Sequence, residues 1–181
     1  MSLVFLCPAK THNMNMTMLK AVAFSRADIL PAADLAALRS LYPNNAPGFH
    51  CWALRSDKTK RGDAFAEVMS AGDVCLFSVK ASGMFGYAAK VLGKIRSQSF
   101  GTALWGDAPG EHPWEFLFYT TPPIQVTVPK NAFLSMLGYK ALNYMRPVQN
   151  DYQKNLMARI GTVDRLWENI FQNNDLRYLY E

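Results

Sequence analysis

Through the middle of the chain apolar positions alternate with a period of two, and towards its end they fall at helical spacing. Val74 to Val79 is a short apolar, β-branched run bounded by Gly72-Asp73 and by Ala81-Ser82-Gly83, the pattern of a strand buried on both faces. After a turn at Gly83, the set Phe85, Tyr87, Ala89 and Val91 alternates with Met84, Gly86, Ala88 and Lys90, which predicts the return strand of a hairpin. Gly86 and Ala88 leave that second face thin enough for another strand or a flat ring to lie close to the backbone. Further strands are predicted at Leu3 to Cys7, stopping at Pro8, at Phe49 to Leu54, at Trp114 to Thr120 and at Ile124 to Val128. Lys10 to Asn13 reads as a polar loop, and the alternation of Met14 to Met18 as an edge strand or extended loop.

Helices are predicted from Pro31 to Tyr42, from an N-cap at Asp63 through Phe65, Val68 and Met69, and from Lys130 to Leu137 before Gly138. Ser97 to Gly101 is mostly small and polar, so Trp105 stands at the lip of a loop that runs on into Gly106-Asp107-Ala108-Pro109-Gly110. The tail from Asp151 to Tyr180 carries Leu156 with Ile160, then Val163, Leu166, Trp167 and Ile170 after a break at Gly161-Thr162, a helical pattern. Five or six strands with a few short helices and a helical C-terminal tail predict an α+β domain on a small, partly open barrel. Residues 1–150 form the predicted domain, and 151–181 its helical extension or a linker to a further domain.

A chain of 181 residues, half of them apolar, is large enough to bury a core without staples. It has neither an apolar run of membrane-spanning length nor the layout of a signal peptide, so a soluble, cytoplasmic protein without a membrane partner is expected. The opening Met1-Ser2-Leu3 and the final Glu181 after an apolar end read as scars of a piece cut from a longer protein. Cys7, Cys51 and Cys75 fit neither a disulfide framework nor zinc spacing, and read as free core thiols. No metal and no cofactor is predicted.

The net charge of +5 matters less than its placement. Arg55, Lys58, Lys60 and Arg61 crowd the segment after Trp52, offset only by Asp57 until Asp63, and no acidic residue occurs from Val74 through Gly106, where Lys80, Lys90, Lys94 and Arg96 fall. Two basic blocks of this kind are either a solvated face or a track for phosphates.

Motifs for catalysis are missing: there is no phosphate-binding Gly-rich loop, no nucleophile elbow and no His-Glu-x-x-His. The neighbours His50 and Cys51 point to opposite faces of a strand and cannot act as a pair. His112 reads as a loop residue, and Asp107 with Glu111 as solvated carboxylates. A small hydrolase using Cys51 is the one enzymatic alternative, and the chain is read as a non-enzyme. A binding site has more support. A base held between two indoles gains roughly 1–3 kcal/mol per stacked ring, and an added methyl group sits well against aromatic faces. Trp52 and Trp105, each beside a basic block, offer such walls for a flipped base, with Trp114 and Trp167 assigned to the core.

Cys51-Trp52-Ala53, the stretch Phe77-Ser78-Val79-Lys80-Ala81-Ser82-Gly83-Met84-Phe85-Gly86-Tyr87-Ala88-Ala89, and Leu104-Trp105-Gly106 resemble the YTH domains and the related EVE branch of the PUA-like superfamily. The resemblance covers about residues 48 to 128 and the first strand. It implies a PUA-like barrel whose cage walls are Trp52 and Trp105, facing one another across a cleft floored by the hairpin. The backbone at Cys51 and Ala53 would receive the methylated amine, and the loop from Lys10 to Asn13 would touch the base edge. Ser78, within the motif, belongs to the base-binding set. Lys10, Arg55, Lys58, Lys60, Arg61, Lys80, Lys90, Lys94 and Arg96 are the implied phosphate contacts. Ala53 departs from the Ser usual in eukaryotic readers, and the third wall is open among Pro109, Pro113 and Trp114. Prokaryotic members are similar to the N-terminal specificity modules of McrB-type modification-dependent restriction proteins. That implies recognition of N6-methyladenine or a methylated cytosine in DNA, with a GTPase motor and nuclease on other chains or domains. An RNA-binding PUA-like module is the alternative.

Overall fold

The computed structural model describes residues 2–55, 61–79, 82–106 and 112–181. In chain order these form β1 (Val4–Ala9), α1 (Thr11–Thr17), α2 (Ala32–Ser40), β2 (His50–Arg55), α3 (Arg61–Val68), β3 (Val74–Val79) and β4 (Met84–Arg96). There follow α4 (Gln98–Trp105), β5 (Trp114–Thr120), β6 (Ile124–Pro129), α5 (Lys130–Leu137), β7 (Arg146–Pro147), α6 (Asp151–Ile160) and α7 (Val163–Phe171). The fold is mixed α+β: a multi-stranded sheet that does not fully close, with peripheral helices and a helical C-terminal tail.

Two compact units share β4. The first gathers residues 1–11, 72–90 and 123–181. In it β1 pairs in parallel with β3 and antiparallel with β7, while the first part of β4 pairs with β3 and with β6. Val4, Leu6, Val74 and Leu76 from the strands meet Phe133 and Leu137 of α5, Leu156 and Ile160 of α6, and Leu166 and Ile170 of α7 in one apolar cluster. The tail thus supplies one wall of the core that holds the first strand. Phe85 and Ala88 both enter this cluster although strict alternation sends them to opposite faces. The register of β4 on β6 shifts between Phe85 and Tyr87, and such an irregularity resets the alternation. Ala88 is fully buried there, so the thin face expected to floor a pocket is packed core at this position.

The strand β1 continues through Pro8 to Ala9 rather than stopping at the proline. On its outer side β7 pairs only with Phe5 and Leu6, so the amide that Pro8 lacks falls beyond that short ladder. Cys7 and Cys75 are free and buried, and burial pushes the Cys7 thiol well up, assisted by its contact with Cys75.

The second unit comprises residues 12–71 and 91–122. Here β5 lies between β2 and the last part of β4, antiparallel to both. Cys51 and Ala53 of β2, Leu117 and Tyr119 of β5, Phe100 and Leu104 of α4, and Leu38 of α2 build its cluster. The predicted extra helix is present as α2 and is anchored through Tyr42: its Oη lies 2.7 Å from the carbonyl of Thr120 and 3.0 Å from that of His50.

Three local expectations change in this unit. The segment Thr11–Thr17 is helical, with Met14 and Thr17 buried; Met14, Thr17 and the buried Met18 just beyond fall at i, i+3 and i+4, the helical spacing. α3 begins at Arg61, so Asp63 sits in the first turn and is not its cap. Gln98–Trp105 is a helix capped by Ser97, whose side chain accepts from the Phe100 amide, the N-cap geometry that small polar residues favour.

Candidate nucleic-acid interface

Directly opposed residues on neighbouring strands share a face of the sheet. Trp52 opposes Phe118, which opposes Lys94; Leu54 opposes Phe116, which opposes Arg96. These six therefore occupy one face of the β2-β5-β4 sheet. Cys51 and Ala53, one residue to either side of Trp52, belong with Tyr119 and Leu117 on the other. Trp105 packs against the cluster that contains Cys51 and Ala53. The structure accordingly places Trp52 on one face of this sheet and Trp105 against the other. Trp52 is also 5% exposed, a packed side chain.

Trp105 instead has Trp114 beside it, with ring centroids 5.7 Å apart and planes inclined at 38°. The arrangement depends on Gly101. A Cβ there would lie 1.7 Å from the Trp114 carbonyl oxygen, so only glycine lets α4 settle directly on β5. Gly106, at φ +73°, ends the helix just after Trp105 in a conformation that side-chain-bearing residues rarely adopt. The Arg55 guanidinium lies 4.2 Å from the Trp114 ring centroid, a cation–π contact. Arg55, Trp114 and Trp105 thus form one contiguous stack of partly buried planar groups joined through Trp114. Trp114, assigned to the core from its sequence pattern and named by the resemblance as one candidate third wall, is the ring that lies beside Trp105. The cue lay in His112-Pro113-Trp114, since a strand's first residue is the one least covered by its neighbours.

The predicted phosphate contacts have separate fates. Lys94 Nζ donates to the carbonyls of Ala66 and Glu67 at 2.8 and 2.9 Å, so it caps the C-terminal end of α3. Arg96 lies 4.8 Å from the Phe116 ring centroid and pairs with Glu115 at 3.3 Å, its side chain remaining 65% exposed. In the first unit, Lys90 Nζ is 3.3 Å from Asp164, and Lys10 is exposed. Lys58, Lys60 and Lys80 lie outside the described residues, as does Pro109, and Arg61 is placed only as the first residue of α3.

Of the remaining predicted base contacts, Asn13 is on α1 in the second unit, and Ser78 is buried on β3 of the first, opposite Pro8. Cys51 is fully buried and burial pushes its thiol up, the environment of an inert rather than a nucleophilic cysteine. His50 Nδ1 donates to the Met18 carbonyl at 2.7 Å; burial lowers its pKa from 6.5, against the raising effect of that bond. Among the described residues no three His, Cys, Asp or Glu side chains are grouped to hold a metal ion, and no helix is long and apolar enough to cross a membrane.

No family model matches this sequence, and no curated protein does. Among solved structures, the N-terminal domain of Thermococcus gammatolerans McrB bound to m5C DNA aligns over 93% of this chain and 99% of that one, at 19% identity and a TM-score of 0.62. A Rhodopseudomonas palustris protein solved by NMR aligns over 84% of this chain and 88% of its own, at 12% identity and a TM-score of 0.38. The chain therefore shares the fold of that McrB N-terminal domain.

Proposed function

We propose that this chain is a nucleic-acid-binding module that recognises a modified base in DNA, taking a flipped methylated cytosine or N6-methyladenine against its partly buried tryptophans Trp105 and Trp114. The observation that carries the reading is the likeness, over nearly the whole of both chains, to a McrB domain seen bound to m5C DNA. The net charge of +5 suits a polyanionic partner. The stack of Arg55, Trp114 and Trp105 adds what a flipped base needs, a sequence-tolerant aromatic face next to a cation.

In this reading Trp105 and Trp114 offer the ring-binding surface. Trp52 acts from the packed face beside Phe118, by holding β2 on β5. Arg55 contacts phosphate at the rim, with Lys94 spent on α3 and Arg96 on the opposite face of the sheet. A GTPase motor and nuclease, if the module serves restriction, act from elsewhere. The deciding experiment is titration of matched labelled duplexes carrying 5-methylcytosine, N6-methyladenine or neither, at two salt concentrations. Preference for one methylated duplex that persists at the higher salt is expected. Equal, wholly salt-dependent binding to all three overturns the reading.

A further inference from the structure

A groove of about 350 Å³ opens on the sheet face opposite to the one against which Trp105 packs. Asp63, Ala66, Glu67 and Met69 of the α3 region form one wall, and Phe116 and Phe118 lie in its sheet wall beside Lys94 and Arg96. Its volume is at the lower end of small-ligand sites, and an apolar wall with a few convergent polar groups is their usual lining.

The polar groups specify a charge. Asp63 Oδ1 is buried and has no hydrogen-bond partner, a cost that a ligand donor would relieve. Two carboxylates, Asp63 and Glu67, and two cations, Lys94 and Arg96, line the groove. Both cations are engaged elsewhere, Arg96 with Glu115 and Lys94 with the backbone carbonyls of Ala66 and Glu67. The orphaned Asp63 acceptor is thus left for a donor that the ligand brings. The aromatic wall favours a flat body, and π faces attract a positive one.

We infer that this groove binds a small planar cation, an amidinium or guanidinium carried on an apolar ring, with its N–H edge on Asp63 and its ring against Phe116 and Phe118. The inference stands apart from the nucleic-acid reading, because no residue of the Trp105 and Trp114 stack lines the groove.

The test is an amide NMR titration of the whole chain with benzamidine, with neutral benzamide and benzoate as controls. Saturable shifts at Ala66, Met69 and Phe118 with benzamidine alone are expected, and Asp63→Asn should weaken binding about tenfold or more. Ala66→Trp, which fills the groove from its α3 side, should abolish the same shifts, and it serves as the readout should Asp63→Asn fail to fold. Absence of saturable shifts up to about 10 mM, a range well beyond the millimolar affinity worth ~4 kcal/mol, overturns the inference. So do equal binding of benzamide, shifts centred on Trp105 and Trp114, or benzamidine binding that Ala66→Trp leaves unchanged.

Discussion

Lys94 Nζ lies 2.8 Å from the carbonyl oxygen of Ala66, so this β4 side chain closes the end of α3 and is not left pointing at solvent. A cation at a helix C-terminus is worth roughly 0.3–1 kcal/mol. Lys94→Met should therefore lower the melting temperature by about 1–4 °C, the response of a chain this size to such a loss. The salt dependence of duplex binding should not change. A shallower salt slope in this variant would return Lys94 to the phosphate contacts.

Trp105→Ala should cut the preference for a methylated duplex by roughly 5- to 150-fold, the worth of one stacked base, while background binding at low salt persists. Trp52→Phe should leave the preference intact and lower stability, because it trims a packed side chain. The ratio of dissociation constants for methylated and plain duplex, measured for both variants, separates the two roles. Loss of preference in Trp52→Phe alone would place the base on the Phe118 face.

Arg55→Gln removes the guanidinium from the Trp114 ring. If Arg55 also neutralises a phosphate, the slope of log affinity against log salt should become shallower by about 0.9. Titrations at four salt concentrations measure it. An unchanged slope would make Arg55 a structural partner of Trp114 alone.

His50 is held neutral by burial, its pKa lying below 6.5. The unfolded chain then binds more protons than the native one as pH falls through and below about 6.5, so stability is full above that value and declines beneath it. Urea midpoints at pH 7.5, 6.0 and 5.0 should fall in that order. In His50→Gln the share of that decline due to this ring should vanish. A decline of the same size in both would assign it to other groups.

Strands with a strong local signal were legible in the sequence. Val74–Val79 and Trp114–Thr120 begin and end where their apolar runs do, and Lys130–Leu137 stops at its glycine. The continuation of β4 past Val91 to Arg96 was not, because Gly93, Lys94 and Arg96 look like surface and their partners on α3 and β5 are set by the fold. The opposite facing of Trp52 and Cys51 follows from strand alternation alone. Where Trp105 points does not: it depends on Gly101 seating α4 against the Trp114 backbone, a contact between residues 13 apart that no periodicity announces. The tryptophan positions were thus readable and their pairing was not.

The division of the chain into units bears on its synthesis. Residues 12–71 and 91–122 supply everything the second unit's cluster contains, so that cluster can form once Thr120 and its neighbours have left the ribosome. The first unit cannot close then, for Val4, Leu6 and Val74 share their core with Leu156, Ile170 and Leu179. At ordinary elongation rates of about 5–20 residues per second, β1 and β3 wait roughly 3–12 s for those partners. Throughout that interval a nascent parallel strand pair stands with one apolar face uncovered, which makes the codons for residues 123–181 the stretch where slowed translation would most expose this protein to aggregation.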